Sequence, residues 1–428
     1  LLVFITSRLY RIILLSILLI PMSGCWDQSE IKEKTVVIGL GIDKVSGANP
    51  ILLTAQVISL PTSKNIGGSQ GGSSNSGVSG ISGGGSLQSK ESSKTGPANT
   101  GQDSGPGNSV TVITSTGKSF YEAVHNFLKY SSRQIMFSHN RVIVFGKELA
   151  ESGIADICDA MARDYQFRRT NWVLVAENNA QEILTAKTDM GNLPAKELDH
   201  LLNDLTQNAM IFPVHLNDLL LGLSGEGHAG SVPLVRVESG NFNPTPRIII
   251  ETNAVFKNSR LIGILDPDES HGLVWLTPGK KDGFLVFPFN GGLGQKMISL
   301  EIAKGTSKIR PRITKEGLVM DITCSGKGIL RETEGLNNNP QTVKQLERRV
   351  DQILSTRVKE TIQKAQQIKT DFFGFATLFH GDDPEEWRRI KGDWDQEFSR
   401  IKTRIRFQIN IASFGIIKDS LLTSGGQE

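Results

Sequence analysis

Residues 342–369 read TVKQLERRVDQILSTRVKETIQKAQQIK, and residues 404–411 read RIRFQINI. In the first stretch apolar side chains recur every three or four residues, which predicts an amphipathic helix about 42 Å long. The second alternates polar and apolar side chains strictly, which is typical of a strand with one exposed face. A long helix and such a strand together predict an α+β domain with an antiparallel or mixed sheet and helices on one side.

The segment around the long helix supplies the rest of this predicted C-terminal domain. Strand patterns at 296–302, 308–313 and 318–323 precede the helix. After it, Asp383 and Pro384 have the order of an N-cap and a first helical residue, so the acidic side chains beside them fit a helix start better than a Ca²⁺ site. The apolar side chains that follow are expected to face the core: Trp387, Ile390, Trp394, Phe398 and Ile401.

Residues 209–292 contain short β-type runs separated by Gly, Pro and Asp, which predicts a smaller, β-rich middle domain. The runs lie at 231–238, 247–257, 260–265, 272–276 and 283–288. The sequence GGLG at 291–294 is interpreted as the loop that leads into the C-terminal domain.

The N-terminal segment, 25–208, alternates strand and helix patterns, which predicts an α/β domain. Its first two strands, at 33–43 and 51–60, are joined by a Gly-Ala-Asn-Pro turn and are expected to form a hairpin. Residues 62–109 contain 26 Gly or Ser among 48 residues. Because they hold hardly any large apolar side chains, a flexible insert is predicted there. A short amphipathic helix is expected at 195–208.

These patterns together predict a mixed α+β fold of three domains, in which mixed or antiparallel sheets are flanked by helices. The predicted domains are 25–208, 209–292 and 293–418, and a disordered tail is predicted at 419–428. With 428 residues, 38% hydrophobic and 21% charged, the chain is long and apolar enough to bury cores of this kind.

The N-terminus carries the pattern with the most specific chemical meaning. Arg8 and Arg11 precede the run IILLSILLI at 12–20, which is too short to cross about 30 Å of hydrocarbon and is typical of a secretory signal. The small residues directly before Cys25 resemble the lipobox of bacterial lipoproteins. That motif implies a signal peptide at 1–24 and acylation of the Cys25 thiol. The alternative is an ordinary signal or an uncleaved anchor in which Cys25 is incidental.

Charge and cysteine usage narrow the function classes. The chain has 47 Lys and Arg against 44 Asp and Glu, and loss of Arg8 and Arg11 with the signal leaves a formal charge of +1. This balance argues against a nucleic-acid binder. Electrostatic attraction to anionic lipid is expected to add little, so the acyl chains are expected to hold the protein at the membrane. Cys158 and Cys324 fit a predicted helix and a predicted strand and are interpreted as buried small side chains rather than a disulfide.

The spacing of reactive side chains predicts no catalytic, cofactor or metal site. Gly39 and Gly41 lack the third glycine of a dinucleotide site, and Lys296 lacks the spacing of a P-loop. The seven histidines show no metal-ligand spacing, and Ser224 lies outside a nucleophile-elbow motif. These observations favour an anchored binding or scaffolding protein over an enzyme.

Short motifs lie at both ends of the predicted mature chain. Near its start they are Cys25-Trp26-Asp27, Glu30-Ile31, GLGIDK at 39–44 and Thr54-Ala55-Gln56. Near its end they are DFFGFATLFH at 371–380, Pro384 through Trp387, Trp394 and the strand that closes at Gly415. In this order they resemble the Ger(x)C family of spore germination lipoproteins. The resemblance covers about 25–417 except the Gly/Ser insert, a departure that leaves only the local geometry of that loop open.

The resemblance implies the C subunit of a nutrient germinant receptor, anchored through Cys25 to the extracytoplasmic face of the inner spore membrane. Two multi-pass membrane subunits, one of them transporter-like, are the implied partners, and the receptor senses germinants such as amino acids or sugars. Three α/β-type domains are implied, and no catalytic residue. Whether this subunit binds a germinant directly stays open, as does the surface that meets the partners.

Two other function classes stay open on the sequence. A lipid-anchored enzyme acting on cortex peptidoglycan would need paired carboxylates or a metal site assembled from distant segments. A solute-binding lipoprotein of a transporter would show two parallel α/β lobes around a cleft. The β-rich middle segment and the single long helix fit that class poorly.

Overall fold

The computed structural model describes residues 34–59, 109–129, 134–188, 193–208, 210–240, 245–279, 281–290, 295–315, 317–332 and 339–413. The predicted signal peptide, Cys25, most of the predicted insert and the predicted tail lie outside these residues. The described part forms two mixed sheets with helices packed on them, which confirms the mixed α+β prediction.

The larger sheet has nine strands in the order β3-β2-β1-β5-β6-β7-β8-β9, with β4 paired to β1. They are β1 Lys34–Lys44, β2 Ile51–Ser59, β3 Ser109–Gly117, β4 Gln134–Met136, β5 Val142–Phe145, β6 Trp172–Ala176, β7 Ala229–Glu238, β8 Arg247–Lys257 and β9 Arg260–Ile264. The pairs β1–β5, β5–β6 and β6–β7 are parallel, whereas β7–β8 and β8–β9 are antiparallel. The centre of the sheet is therefore parallel, with an antiparallel extension at one side.

Helices cover both faces of the larger sheet. They are α1 Phe120–Asn126, continued by a 3₁₀ turn Phe127–Lys129, α2 Lys147–Ser152, α3 Ala155–Arg163, α4 Ala180–Thr185, α5 Pro194–Gln207 and α6 Leu216–Ser224. Strands β5 and β6 are buried at every position because one core lies on each side of them. Side chains of α1, α2, α3 and α6 belong to one core, and those of α4 and α5 to the other.

The smaller sheet has the order β10-β11-β12-β13. Its strands are β10 Gly283–Asn290, β11 Gln295–Thr314, β12 Gly317–Glu332 and β13 Lys402–Ser413. The first two pairs are antiparallel and the last is parallel. Its helices are α7 Pro267–Leu276, α8 Pro340–Gln367, α9 Phe375–Asp382, α10 Pro384–Ile390, a 3₁₀ turn Lys391–Asp393 and α11 Trp394–Arg400. One face of this sheet packs with these helices in a common core.

Helix α8 and strand β13 confirm the two patterns that predicted this part of the fold. The helix begins two residues before the predicted start because Asn339 caps the backbone nitrogen of Thr342 and Pro340 occupies the first turn. Its buried face follows the predicted spacing, with Leu346, Val350, Leu354, Val358 and Ile362 in the core.

The strand predicted at 272–276 is wrong, because these residues lie in α7. The helix begins with a capping box in which the Asp266 carboxylate accepts from the backbone nitrogen of Glu269 and the Glu269 carboxylate accepts from that of Asp266. The apolar residues that follow are almost all buried, so their sequence shows no helical periodicity. A short apolar run of this kind does not distinguish a buried strand from a buried helix.

The division into three domains stays a prediction, although strand pairing crosses its first boundary. Strand β7, in the predicted middle domain, pairs in parallel with β6, in the predicted N-terminal domain. Strands β8 and β9 continue the same sheet, whereas β10 belongs to the smaller one. The strands before residue 208 and the first three strands after it therefore belong to one sheet.

Candidate functional site

Cys25, the predicted site of acylation, lies outside the described residues. Among the residues that the structure describes, no helix is both long and apolar enough to span a bilayer. The same residues contain no group of three His, Cys, Asp or Glu side chains arranged to hold a metal ion.

The GLGIDK motif contains a buried carboxylate, Asp43, that binds the start of a helix. Oδ1 of Asp43 accepts from the backbone nitrogen of Ala180 at 2.7 Å, and Oδ2 from that of Gln181 at 3.0 Å. Burial raises the pKa of Asp43, and these two hydrogen bonds counteract the rise. The glycines have a packing role, since a β-carbon at Gly39 would overlap the β-carbon of Ala195. The motif thus holds α4 and α5 on β1.

Gln56 of the Thr-Ala-Gln motif connects the same two helices. Its Oε1 accepts from the backbone nitrogen of Ala195 at 2.9 Å, and its Nε2 donates to the carbonyl of Leu184 at 3.4 Å. The side chain is 1% exposed. One buried amide therefore satisfies the first turn of α5 and the last turn of α4, two places where backbone groups lack partners within the helix.

The C-terminal DFFGF sequence is organised around a second buried carboxylate. Asp371 accepts from the backbone nitrogens of Gly374 at 3.1 Å, Phe375 at 3.0 Å and Ala376 at 2.6 Å. Burial raises its pKa, and these donors oppose the rise. Gly374 adopts φ +83°, a conformation that favours glycine. Asp371 therefore fixes the turn into α9 and is occupied by the backbone.

The aromatic stripe predicted to face the core does so. Trp387, Trp394 and Phe398 are 2%, 5% and 1% exposed and belong to the core of the smaller sheet. The rings of Trp387 and Trp394 meet edge to face with centroids 5.0 Å apart, which is a favourable aromatic arrangement. Phe375 and Phe379 of α9 join the same cluster. The C-terminal motifs are thus brought together as one packed unit.

The two described cysteines are free and buried, which confirms their interpretation as small core side chains. Burial raises the pKa of Cys158 and of Cys324 to about 12. Neither thiol therefore has the thiolate character that a nucleophile or a metal ligand requires.

A polar cavity of about 300 Å³ lies where β5 and β6 begin. Both amide atoms of Asn140 and the Nδ2 atom of Asn171 are buried there without a hydrogen-bond partner among the described residues. Asp199, the carboxylate of the lining, accepts from the Trp172 indole at 3.1 Å and lies 3.8 Å from Arg141. The cavity can donate and accept hydrogen bonds, but it has no paired carboxylates for acid–base chemistry.

An apolar groove of about 480 Å³ shares two residues with the polar cavity. These are Trp172 and His215, whose rings stack with centroids 3.8 Å apart. Ile211, Phe212 and Leu221 line the groove, and Leu221 is 62% exposed. The sequence did not predict either feature, because their linings come from segments far apart in the chain.

Comparison with known proteins supplies the context for this geometry. The family described as "Spore germination B3/ GerAC like, C-terminal" matches residues 252–415, and that described as "Spore germination protein N-terminal domain" matches residues 85–237. Spore germination protein KC of Bacillus subtilis (strain 168) is 25% identical over 405 residues, which are 90% of each chain. Spore germination protein B3 of the same organism is 26% identical over 408 residues, 94% of this chain and 96% of the relative.

A solved structure has the same fold. The crystal structure of the GerBC protein matches with a TM-score of 0.53 and 20% identity over 90% of this chain and 99% of that chain. At this identity the match supports the architecture described above and does not by itself assign a function.

Proposed function

Because this chain belongs to the spore germination B3/GerAC-like family, we propose that it is the C subunit of a nutrient germinant receptor, anchored through acylated Cys25. The observation that carries the proposal is the match to spore germination proteins over nearly the whole chain, in a sequence that also contains the lipobox-like residues before Cys25. The proposed location is the extracytoplasmic face of the inner spore membrane.

The anchor explains how a chain with this fold would act at a membrane. Two or three acyl chains hold a protein on a bilayer stably, whereas one is marginal. Confinement to the membrane raises the effective concentration of the protein near its partners without any new contact. We take those partners to be the two integral membrane subunits of the receptor, with this subunit as their extracytoplasmic component.

A binding rather than catalytic role fits the buried polar groups. The carboxylates of Asp43 and Asp371 are both occupied by backbone donors at helix starts. The thiols of Cys158 and Cys324 are buried and have raised pKa values. These four groups therefore stabilise the fold.

Replacement of Cys25 by Ala tests the proposal in spores. We expect the Cys25→Ala protein to leave the membrane fraction and the spores to lose the response to the germinant of this receptor. Cys158→Ala is the matched control, because it removes a thiol from the core and leaves the lipobox intact. A Cys25→Ala protein that stays in the membrane fraction and supports germination would contradict the anchor.

Purification of the native protein from spore membranes separates the remaining function classes. Recovery of two integral membrane proteins with it would support the receptor subunit. Cleavage of cortex peptidoglycan by the purified protein would instead support a cell-wall enzyme, and binding of a free amino acid or sugar to the isolated protein would support a solute-binding lipoprotein.

A further inference from the structure

The exposed face of the smaller sheet carries six basic side chains in three rows, which we call the basic grid. Its members are Lys308, Arg310 and Arg312 of β11 and Lys402, Arg404 and Arg406 of β13. Strand β12 lies between them, and its residues Val319, Asp321 and Thr323 pair with one member on each side. Residues opposite one another on neighbouring strands point to the same face, and all six basic residues are exposed.

The grid carries a local positive charge that is larger than the net charge of the whole chain. Asp321 is the one carboxylate in the three rows, so the rows carry +5 in a chain whose formal charge is +3. The rest of the chain is therefore negative. Asp321 lies 2.5 Å from Arg312 and 4.0 Å from Arg404, and it forms no ion pair with Lys308, Arg310 or Arg406.

The spacing of the grid makes its members repel one another. Strands about 4.8 Å apart place β11 and β13 about 10 Å from each other, and alternate residues along a strand are about 7 Å apart. These separations lie within the screening length of about 8 Å to 10 Å, or close to it, at physiological salt. Like charges so arranged disfavour the folded state, so the grid is not explained by stability.

The grid also forms a shallow concave site. A cavity of about 380 Å³ is lined by Lys308, Arg310, Arg312, Arg404 and Arg406 together with Asp321 and Thr323. Every lining residue comes from β11, β12 or β13. Guanidinium groups match the oxygens of phosphate and of carboxylate by paired hydrogen bonds, so the four arginines here can bind the phosphate groups of an anionic surface.

We propose that the basic grid binds the phosphate groups of anionic membrane lipids and holds this face of the protein against the bilayer. The inference rests on the proposed anchor at Cys25 for placing the protein beside a membrane. A membrane surface is favoured over a protein partner because anionic lipids complement the positive charge of the rows. The rows also offer none of the aromatic side chains that are enriched at the centres of protein interfaces.

The grid and the anchor would act as two complementary signals. The acyl chains supply affinity for the bilayer but allow the attached protein to rotate. Basic side chains near an anionic surface add attraction residue by residue and would select one orientation.

The test uses the chain from Trp26 to Glu428, which lacks the acyl chains but contains every described strand and helix. Flotation with vesicles of phosphatidylcholine is compared with flotation with vesicles that also contain phosphatidylglycerol. We expect the chain to bind the anionic vesicles and not the phosphatidylcholine vesicles. This binding should weaken as the salt concentration rises above about 0.1 M, because the screening length becomes shorter. The double variant Arg310→Glu, Arg404→Glu should weaken binding at least about tenfold.

The matched control is Lys196→Glu, Lys391→Glu, which makes the same change in net charge at two exposed residues outside the grid. We expect this control to float like the unchanged chain, and inorganic phosphate at concentrations well above that of the lipid to compete only partly. Circular dichroism establishes that both variants are folded. Equal binding by the grid variant and the unchanged chain would overturn the proposal.

Two further outcomes would also count against the proposal. Failure of the unchanged chain to bind anionic vesicles would overturn the proposal, whatever the fate of Cys25 in spores. Normal vesicle binding with loss of membrane partners in the grid variant would assign the grid to a protein surface instead. Because the vesicle assay does not use the acylated cysteine, its result is independent of the test of the anchor.

Discussion

Oδ1 of Asp43 lies 2.7 Å from the backbone nitrogen of Ala180, a residue 137 positions later in the chain. Asp43 lies near the end of the parallel strand β1, and Ala180 is the first residue of α4. In open α/β sheets, ligands bind in the crevice at the carboxyl ends of such strands. Here the side chain of Asp43 occupies that place and caps the helix, so this carboxylate stabilises the fold.

Asp43→Asn should destabilise the protein. The new NH₂ group would face a backbone N–H group where a carboxylate oxygen accepts a hydrogen bond in the unchanged chain. Loss of a helix cap and of a buried hydrogen bond predicts a decrease of about 2 to 3 kcal/mol in the free energy of unfolding. Urea unfolding followed by circular dichroism measures it. Asn179→Ala, which removes the exposed cap of the same helix, should cost about 1 kcal/mol. Equal costs for the two variants would contradict the role given to Asp43.

Gly39→Ala should be strongly destabilising, because its new β-carbon would overlap that of Ala195. Core overpacking of this kind typically costs about 1 to 3 kcal/mol. The second change Ala195→Gly removes the overlapping atom and should restore part of the lost stability, although glycine disfavours a helix. Thermal unfolding of both single variants and the double variant measures the coupling free energy between positions 39 and 195. Gly263→Ala is the control, since nothing lies within 4 Å of a β-carbon there.

Two of the elements that the sequence predicts have residues that face one core on one side. Helix α8 and strand β13 have this property, because each packs one face on the core of the smaller sheet and exposes the other to solvent. Helix α7 is buried almost all round, so its sequence shows no periodicity and was mistaken for a strand. The Asp-Pro-Asp-Glu sequence at 266–269 was the available signal for its start.

The motifs and the polar cavity show a second limit of prediction from the sequence, which concerns the partners of individual side chains. The sequence could show that GLGIDK and DFFGF belong together in one family, but not that Asp43 and Asp371 cap helices, because their partners are backbone atoms. The polar cavity combines Asn140, Asn171 and Asp199, which no local spacing relates. For the basic grid, the alternation in β13 predicts that Arg404 and Arg406 point outward. The sequence does not predict that β12 aligns them with the basic residues of β11.

Acid should destabilise the protein through His271. Its Nδ1 atom accepts from the guanidinium of Arg357 at 2.8 Å, and burial, with the positive charge of Arg357, lowers its pKa from 6.5 to about 4. Between these two values the unfolded chain binds more protons than the folded one, so the free energy of unfolding falls as pH decreases from about 6.5 to about 4. The loss from this group is at most about 3 kcal/mol.

His271→Gln isolates this contribution, since glutamine can accept from Arg357 but does not titrate. Urea unfolding across the same pH range should show a smaller decrease for His271→Gln than for the unchanged chain. His125→Gln, at an exposed histidine, should leave the pH dependence as it was. Parallel curves for all three proteins would show that His271 does not contribute.

Neutralising the basic grid should not destabilise the fold. Arg310→Gln with Arg406→Gln removes two charges from an exposed face where like charges repel, so the free energy of unfolding should change by less than about 0.5 kcal/mol or increase. Arg312→Gln should cost up to about 1 kcal/mol, because it removes the ion pair with Asp321. A large loss in the double variant would mean that the grid stabilises the sheet and needs no ligand to explain it.

The reactivity of the thiols reports the state of Cys25 directly. Cys158 and Cys324 are 3% and 0% exposed, and a buried thiol with a pKa of about 12 has almost no thiolate at neutral pH. A thiol reagent should therefore find no reactive cysteine in the folded, acylated protein and two after unfolding in denaturant. One reactive thiol in the folded protein would show that Cys25 is bare, because the two core cysteines do not react. The double variant Cys158→Ala, Cys324→Ala supplies the control, since any thiol that it retains in the folded state is Cys25.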